Sequence, residues 1–146
     1  MLFDPNDEGI THINIYSKSN TNLGKMLSNW YRQHMQLSIG EFWSIEGLIF
    51  FLGSFDEKLR ELSGFEAKHQ GNQLDRDIRL PEDIFKGFIK EAMHEKLYDN
   101  YKFKKELMES HLPLTHYYRY GNKVIEITKW QWQVEEWNKL RKAIQL

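Results

Sequence analysis

The chain has 146 residues, 40% apolar and 14% aromatic, enough to bury the core of one domain spanning 1–146, with its body at about 13–144. A net charge of −1 offers no general attraction to phosphates and disfavours a dedicated duplex-DNA binder. The absence of cysteine excludes a disulfide framework, a thiolate zinc site and a cysteine nucleophile, and suits a reducing compartment.

The opening Met1–Glu8 has neither a basic n-region nor a signal-type apolar stretch, and no uncharged run approaches the ~20 residues that span a bilayer. The expectation is a soluble, cytoplasmic protein with no membrane partner. Ile13–Ser17 alternates apolar and polar residues and predicts a strand. A polar loop through Asn20, Asn22 and Gly24 then places Lys18 just past a strand end. Met35–Ile39 predicts a second short strand ended by Gly40, and Ser44 caps a helix running to about Leu52. Ser54 with Glu57 has the capping-box spacing for a short helix to about Leu62, and Gly64–Lys68 reads as the next helical turn.

Residues 72–80 read as a polar loop, and Pro81 opens the clearest helix. Its stripe of Ile84, Phe85, Phe88, Ile89, Ala92, Met93 and Leu97 is core rather than chemistry. Tyr101–Glu109 predicts another helix. Leu114–Tyr120 and Lys123–Ile127 read as strands joined by Gly121 and Asn122, a two-residue hairpin signal. The chain closes on an amphipathic helix with Val134, Trp137, Leu140 and Ile144 inward. Together these elements describe an α+β fold, mostly helical, with a small antiparallel β element.

Two clusters stand out as the walls of one site. Glu46 is the only charged residue between Glu41 and Asp56, inside the run Phe42–Leu52. Its bland reading is a first-turn carboxylate favoured by the helix dipole; its functional reading is a carboxyl whose apolar neighbours raise its pKa until it exchanges a proton near neutrality. Gly47 beside it lets a ligand approach the backbone. The other cluster, Tyr16–Ser19 with Leu27–Tyr31, is dense in hydroxyl, amide, amine and indole groups. Lys18 and Lys68 read either as solvated lysines or as amines that pair with phosphate or attack a sugar carbon. Trp30 reads either as core or as a platform for a flat base, with Ser28 and Asn29 reading the base edge. His116 lies on the predicted hairpin, where alternate side chains face the core. No phosphate loop, GxGxxG, HExxH or GxSxG is present, and the six histidines lack metal-ligand spacing, so no metal is expected.

The order of these pieces resembles the NADAR (YbiA-like) superfamily from Ile15 to Arg141. A strand is followed by Leu27, Ser28 and Asn29 plus an aromatic, then by Phe42 with Ser44, Ile45 and Glu46. Glu66, Ala67, Lys68 and Gly71 come next, and then a long helix with Ala92 and Lys96. The Tyr16–Ser19 opening and the Leu114–Tyr118 segment resemble the guanosine ADP-ribosylation branch rather than the riboflavin-pathway branch.

The resemblance implies a YbiA-like fold and an N-glycosidic hydrolase, without metal or redox cofactor, that removes ADP-ribose from guanine in nucleic acid or nucleotides. It implies catalytic roles for Glu46 as proton carrier and Lys18 at the anomeric carbon. Ser28, Asn29 and Trp30 would hold base or ribose, Lys68 would face the pyrophosphate, and Tyr16, Ser17, Gly47 and His116 would complete the substrate-binding set. Alternatives are an N-glycosidase acting on a ribosylamine phosphate, and a binding module for ADP-ribose or NAD metabolites without turnover. The chain departs from the family at Gly47, Phe50 and Gly53, where many members carry histidine, glutamine and lysine, and at Asn72, usually arginine.

Overall fold

A computed structural model describes residues 3–146. In chain order it contains β1 (Ile13–Asn14), α1 (Asn22–Leu27), β2 (Met35–Leu37), β3 (Gly40–Phe42), α2 (Ile45–Ser54), α3 (Gly64–Gln73) and α4 (Glu82–Tyr98). These are followed by α5 (Tyr101–Glu109), β4 (Leu114–Thr115), β5 (Tyr117–Tyr120), β6 (Lys123–Glu126) and α6 (Gln131–Ile144), with 3-10 turns at Pro5–Asp7 and Glu57–Glu61. The fold is α+β and mostly helical. No helix among the described residues is long and apolar enough to cross a membrane.

Backbone contacts divide the chain into two compact units, one of residues up to Ser28 with Tyr101–Leu146, the other of Asn29–Asn100. In the first unit β1 pairs in parallel with β4, Ile13 opposite Leu114, and β5 pairs antiparallel with β6. The hairpin turns on Gly121 at φ 59°, a left-handed position that glycine occupies without strain. Leu114 and Thr115 leave the predicted hairpin strand to pair with β1 instead. The core of this unit gathers Leu27 of α1, Phe103 and Leu107 of α5, and Val134 and Trp137 of α6. Phe103 meets Trp137 edge-on at 5.5 Å, the geometry that opposes the ring's positive edge to the other's negative face. Leu140 and Ile144 of α6 are half-buried.

A short helix replaces the polar loop expected after Lys18. Thr21 caps α1 by accepting from the Gly24 N–H at 3.0 Å, a local signal hidden among asparagines and serines. The absent side chain at Gly24 is required by packing: a Cβ there would lie 2.1 Å from Ser19 Oγ and 2.2 Å from the Asn14 carbonyl oxygen.

In the second unit, β2 and β3 form a hairpin where a single strand was expected, with Gly40 at φ 114° opening the return strand. Ser44 caps α2 as predicted, accepting from Gly47 N–H at 3.0 Å. The helix runs past Leu52 to Ser54, and Phe55 closes it in the left-handed region at φ 55°. Ser54 is therefore not a cap: its hydroxyl donates back to the Phe50 carbonyl, and Asp56 caps the following 3-10 turn by accepting from Lys58 N–H. The helix α3 extends to Gln73, so the loop begins at Leu74.

The α2 helix is buried on most of its faces. Ile45, Leu48, Phe50, Phe51 and Leu52 are core, and each large apolar side chain so buried contributes about 1.5–3 kcal/mol. Ile89, Ala92, Met93 and Leu97 of α4 are fully buried as its stripe predicts, whereas Ile84 is exposed. Lys96 is buried on the same helix, 1% exposed, its ammonium 5.5 Å from the centre of the Tyr31 ring. Its helical spacing from Met93 and Leu97 puts it on the core side, a position that stripe analysis of apolar residues alone passes over.

Candidate functional site

The second unit brings Asn29, Trp30, Glu46, Gly47 and Lys68 together. Residues 29–34 have no helix or strand of their own and are held by backbone bonds to their neighbours. The Asn29 carbonyl accepts from Glu46 N–H at 2.9 Å, the Trp30 carbonyl accepts from Gly64 N–H at 3.2 Å, and Gln33 N–H donates to the Trp43 carbonyl at 2.9 Å. Two of these bonds satisfy N–H groups in the first turns of α2 and α3, which have no partner within their own helix. Side chains strengthen the hold: Gln33 Nε2 donates to the Lys96 carbonyl and Asn100 Nδ2 donates to Gln33 Oε1.

Glu46 stands in the first turn of α2, half-buried at the end of an otherwise apolar helix. Burial raises its pKa from the ordinary 4.5 to about 7. The Lys68 ammonium and a hydrogen bond from the Trp30 indole oppose that rise, in that order of strength, and do not cancel it. A helix N-terminus also favours the anion, yet by only about 0.3–1 kcal/mol, against roughly 3 kcal/mol for a shift of this size. Desolvation wins. The outcome is a carboxyl close to half-protonated at neutral pH, able to give or take a proton.

The Lys68 ammonium lies 5.9 Å from the centre of the Trp30 ring on the exposed side of α3. Lysine, indole and carboxyl thus form a chain of contacts in which the lysine reaches solvent. Arg32 continues the surface: its guanidinium stacks over Trp43 at 4.6 Å and donates to the Glu61 carbonyl at 2.8 Å. At Gly47, a Cβ would lie 2.5 Å from the Leu59 carbonyl oxygen and 3.2 Å from that of Leu62. The chain's own backbone therefore makes the close approach that glycine permits there. Ser44 Oγ donates to the Leu62 carbonyl at 2.8 Å and ties the same segment to the start of α2.

Tyr16, Ser17, Lys18, Ser28 and His116 belong to the first unit. Tyr16 and Ser17 are half-buried and Lys18 is exposed. Tyr16 packs its ring 5.6 Å from that of Tyr118, and its hydroxyl donates to the Arg119 carbonyl at 3.4 Å. Ser28 is buried and ends α1, its N–H donating to the Lys25 carbonyl. His116 Nδ1 lies 2.7 Å from the Ile15 carbonyl oxygen, which accepts only, so that nitrogen carries the proton. Burial pushes the His116 pKa down despite this bond, so the ring is neutral at pH 7.

The support that Ser44 gives the site carries no signal of chemistry in the sequence. Ser44 was legible only as a cap, and the second bond of its hydroxyl depends on a segment eighteen positions away. No family model and no curated protein sequence matches the chain. Among solved structures, the NMR structure of the E. coli protein YbiA superposes with a TM-score of 0.65, at 16% sequence identity, covering 92% of this chain and 84% of that one. The fold is therefore the YbiA-like fold that the order of motifs implied.

Proposed function

We propose that the protein is an N-glycosidase that removes ADP-ribose from guanine bases in nucleic acid or nucleotides. The observation that carries the reading is Glu46, a half-buried carboxyl with a pKa of about 7 beside an indole and a solvent-reaching lysine. Hydrolysis breaks the bond from C1′ of the ribose to the base, transfers a proton to the departing base and joins a water-derived hydroxyl to C1′. A group poised near neutrality serves both halves, donating as an acid to the base or accepting from water.

In this reading the Trp30 ring stacks on the base or ribose, Asn29 and Ser28 hydrogen-bond its edge, and the Lys68 ammonium faces the pyrophosphate. Tyr16, Ser17 and His116 complete the set that the family resemblance implies, whereas the space beside Gly47 is taken by the Leu59 and Leu62 carbonyls. The same resemblance gives Lys18 the part of attacking or steadying the anomeric carbon, and Lys18→Gln tests that part separately. The protein acts in the cytoplasm, without metal or redox cofactor.

The test is mass spectrometry of an ADP-ribosylated guanine oligonucleotide after incubation with the purified protein. Release of free ADP-ribose with an intact oligonucleotide, lost in Glu46→Gln, establishes the glycosidase. ADP-ribose bound in a titration but never released from the oligonucleotide replaces the enzyme by a binding module. If neither is seen, a ribosylamine phosphate is the substrate to assay next.

A further inference from the structure

We infer that Glu8 is a positioning residue that clamps the loop carrying Lys18. The carboxylate lies outside every motif of the sequence, and four donors from both sides of the loop converge on it. Oε2 accepts from Ser19 Oγ at 2.6 Å, from Asn14 N–H at 2.8 Å and from Thr21 Oγ1 at 3.4 Å, while Oε1 accepts from Asn20 N–H at 2.9 Å. Bonds to an ionised carboxylate are about twice as strong as those between neutral groups, and this one ties the end of β1 to both residues that follow Lys18.

The loop is closed by further bonds that depend on the same groups. Ser19 N–H donates to the Tyr16 carbonyl at 3.1 Å, spanning Ser17 and Lys18 in one turn. Thr21 N–H donates to Ser19 Oγ at 3.1 Å, and Thr21 Oγ1 caps α1. Ser19 is buried, 3% exposed, and packs so closely on Gly24 that no side chain fits between them. Lys18 is exposed at the apex, followed by Ser19 and Asn20, both of which bond to Glu8. The 3-10 turn Pro5–Asp7 and the left-handed Gly9 at φ 94° deliver Glu8 to this point, with Gly9 N–H donating to the His12 carbonyl at 2.7 Å. A lysine has four rotatable side-chain bonds, so fixing its backbone removes much of the freedom that blurs the position of its amine.

The inference rests on the catalytic part proposed for Lys18. Glu8→Gln keeps the size of the side chain while removing its charge and turning an amide donor toward groups that already donate. Two measurements decide the role. Hydrogen exchange at the Asn14 and Asn20 amides reads the clamp itself, with at least a tenfold loss of protection expected in Glu8→Gln. Turnover reads the positioning: kcat should fall about tenfold with KM changed less than threefold, and Glu8→Gln should cost nothing further in a Lys18→Gln background.

Unchanged protection overturns the clamp, and an equal loss of turnover in both backgrounds assigns Glu8 to general stability. If Glu8→Gln does not fold, Ser19→Ala removes the shortest of the four bonds and is held to the same two criteria. If the wild-type protein releases no ADP-ribose, the glycosidase reading and the positioning role fail together, while the exchange result still decides whether Glu8 holds the loop.

Discussion

The start of α2 and the last turns of α4 each bury an ionisable group, and burial moves both toward neutrality from opposite directions. Glu46 rises to about 7 from its ordinary 4.5, and Lys96 falls to about 7 from 10.5. Their surroundings differ more than their pKa values. Glu46 is half-buried beside an exposed lysine and an indole, whereas Lys96 is 1% exposed under the ring of Tyr31. A perturbed pKa therefore marks desolvation, and only access turns it into a candidate for chemistry.

The largest expected effect separates the two groups by activity. In the proposed glycosidase reaction, Glu46→Gln should lower release of ADP-ribose by about 10²–10⁴-fold, the usual contribution of a positioned acid or base, with ligand binding retained in a titration. Lys96→Met, which keeps an unbranched side chain one atom shorter and removes its charge, should leave turnover within about threefold when both variants are assayed at 25 °C. A comparable collapse in the lysine variant would erase the distinction drawn from access.

Stability should separate them next, with opposite pH trends. Between pH 4.5 and about 7 the folded state holds the Glu46 proton that the unfolded state has released. Wild-type stability therefore falls relative to Glu46→Gln as pH rises, and the gap levels off above about 7 at roughly 1–3 kcal/mol. Lys96 runs the other way. Between about 7 and 10.5 the unfolded state binds the extra proton, so the advantage of Lys96→Met at pH 7, again roughly 1–3 kcal/mol, shrinks as pH rises toward 10. Urea midpoints at pH 5, 7, 8 and 10 give both trends, and parallel curves would mean that burial is not what moves these groups.

Glu46 was legible because it interrupts an apolar run, and its helix because Ser44 caps it; both are local facts. The stripe of α4, the α5 helix and the Gly121–Asn122 turn were legible for the same reason. What stayed hidden depends on distant partners. The parallel pairing of Leu114 with Ile13 joins residues about a hundred positions apart, and the four bonds to Glu8 come from residues that alternate in no period. The α1 helix was missed because its six residues include two that favour turns, Asn22 and Gly24, and packing rather than propensity holds it. Ser54 misled because the serine of a capping-box pattern and the last serine of a helix are identical in sequence.

The smallest effect tests how the Glu46 carboxyl is tuned. Lys68 and Trp30 both favour the ionised form, Lys68 more strongly, so removing either should raise the pKa further. Lys68→Met should move it up more than Trp30→Phe, each by less than about one unit, read from a ¹³C titration of the carboxyl and from the pH dependence of turnover. Salt separates the two causes. The Lys68 ammonium is exposed, and at 1 M salt the screening length shrinks to about 3 Å, so most of its influence should vanish. The indole bond is a direct contact that salt does not screen, and the Trp30→Phe shift should persist. If salt abolished both shifts alike, Trp30 would act only by guiding the lysine, and the carboxyl would have one tuning partner in place of two.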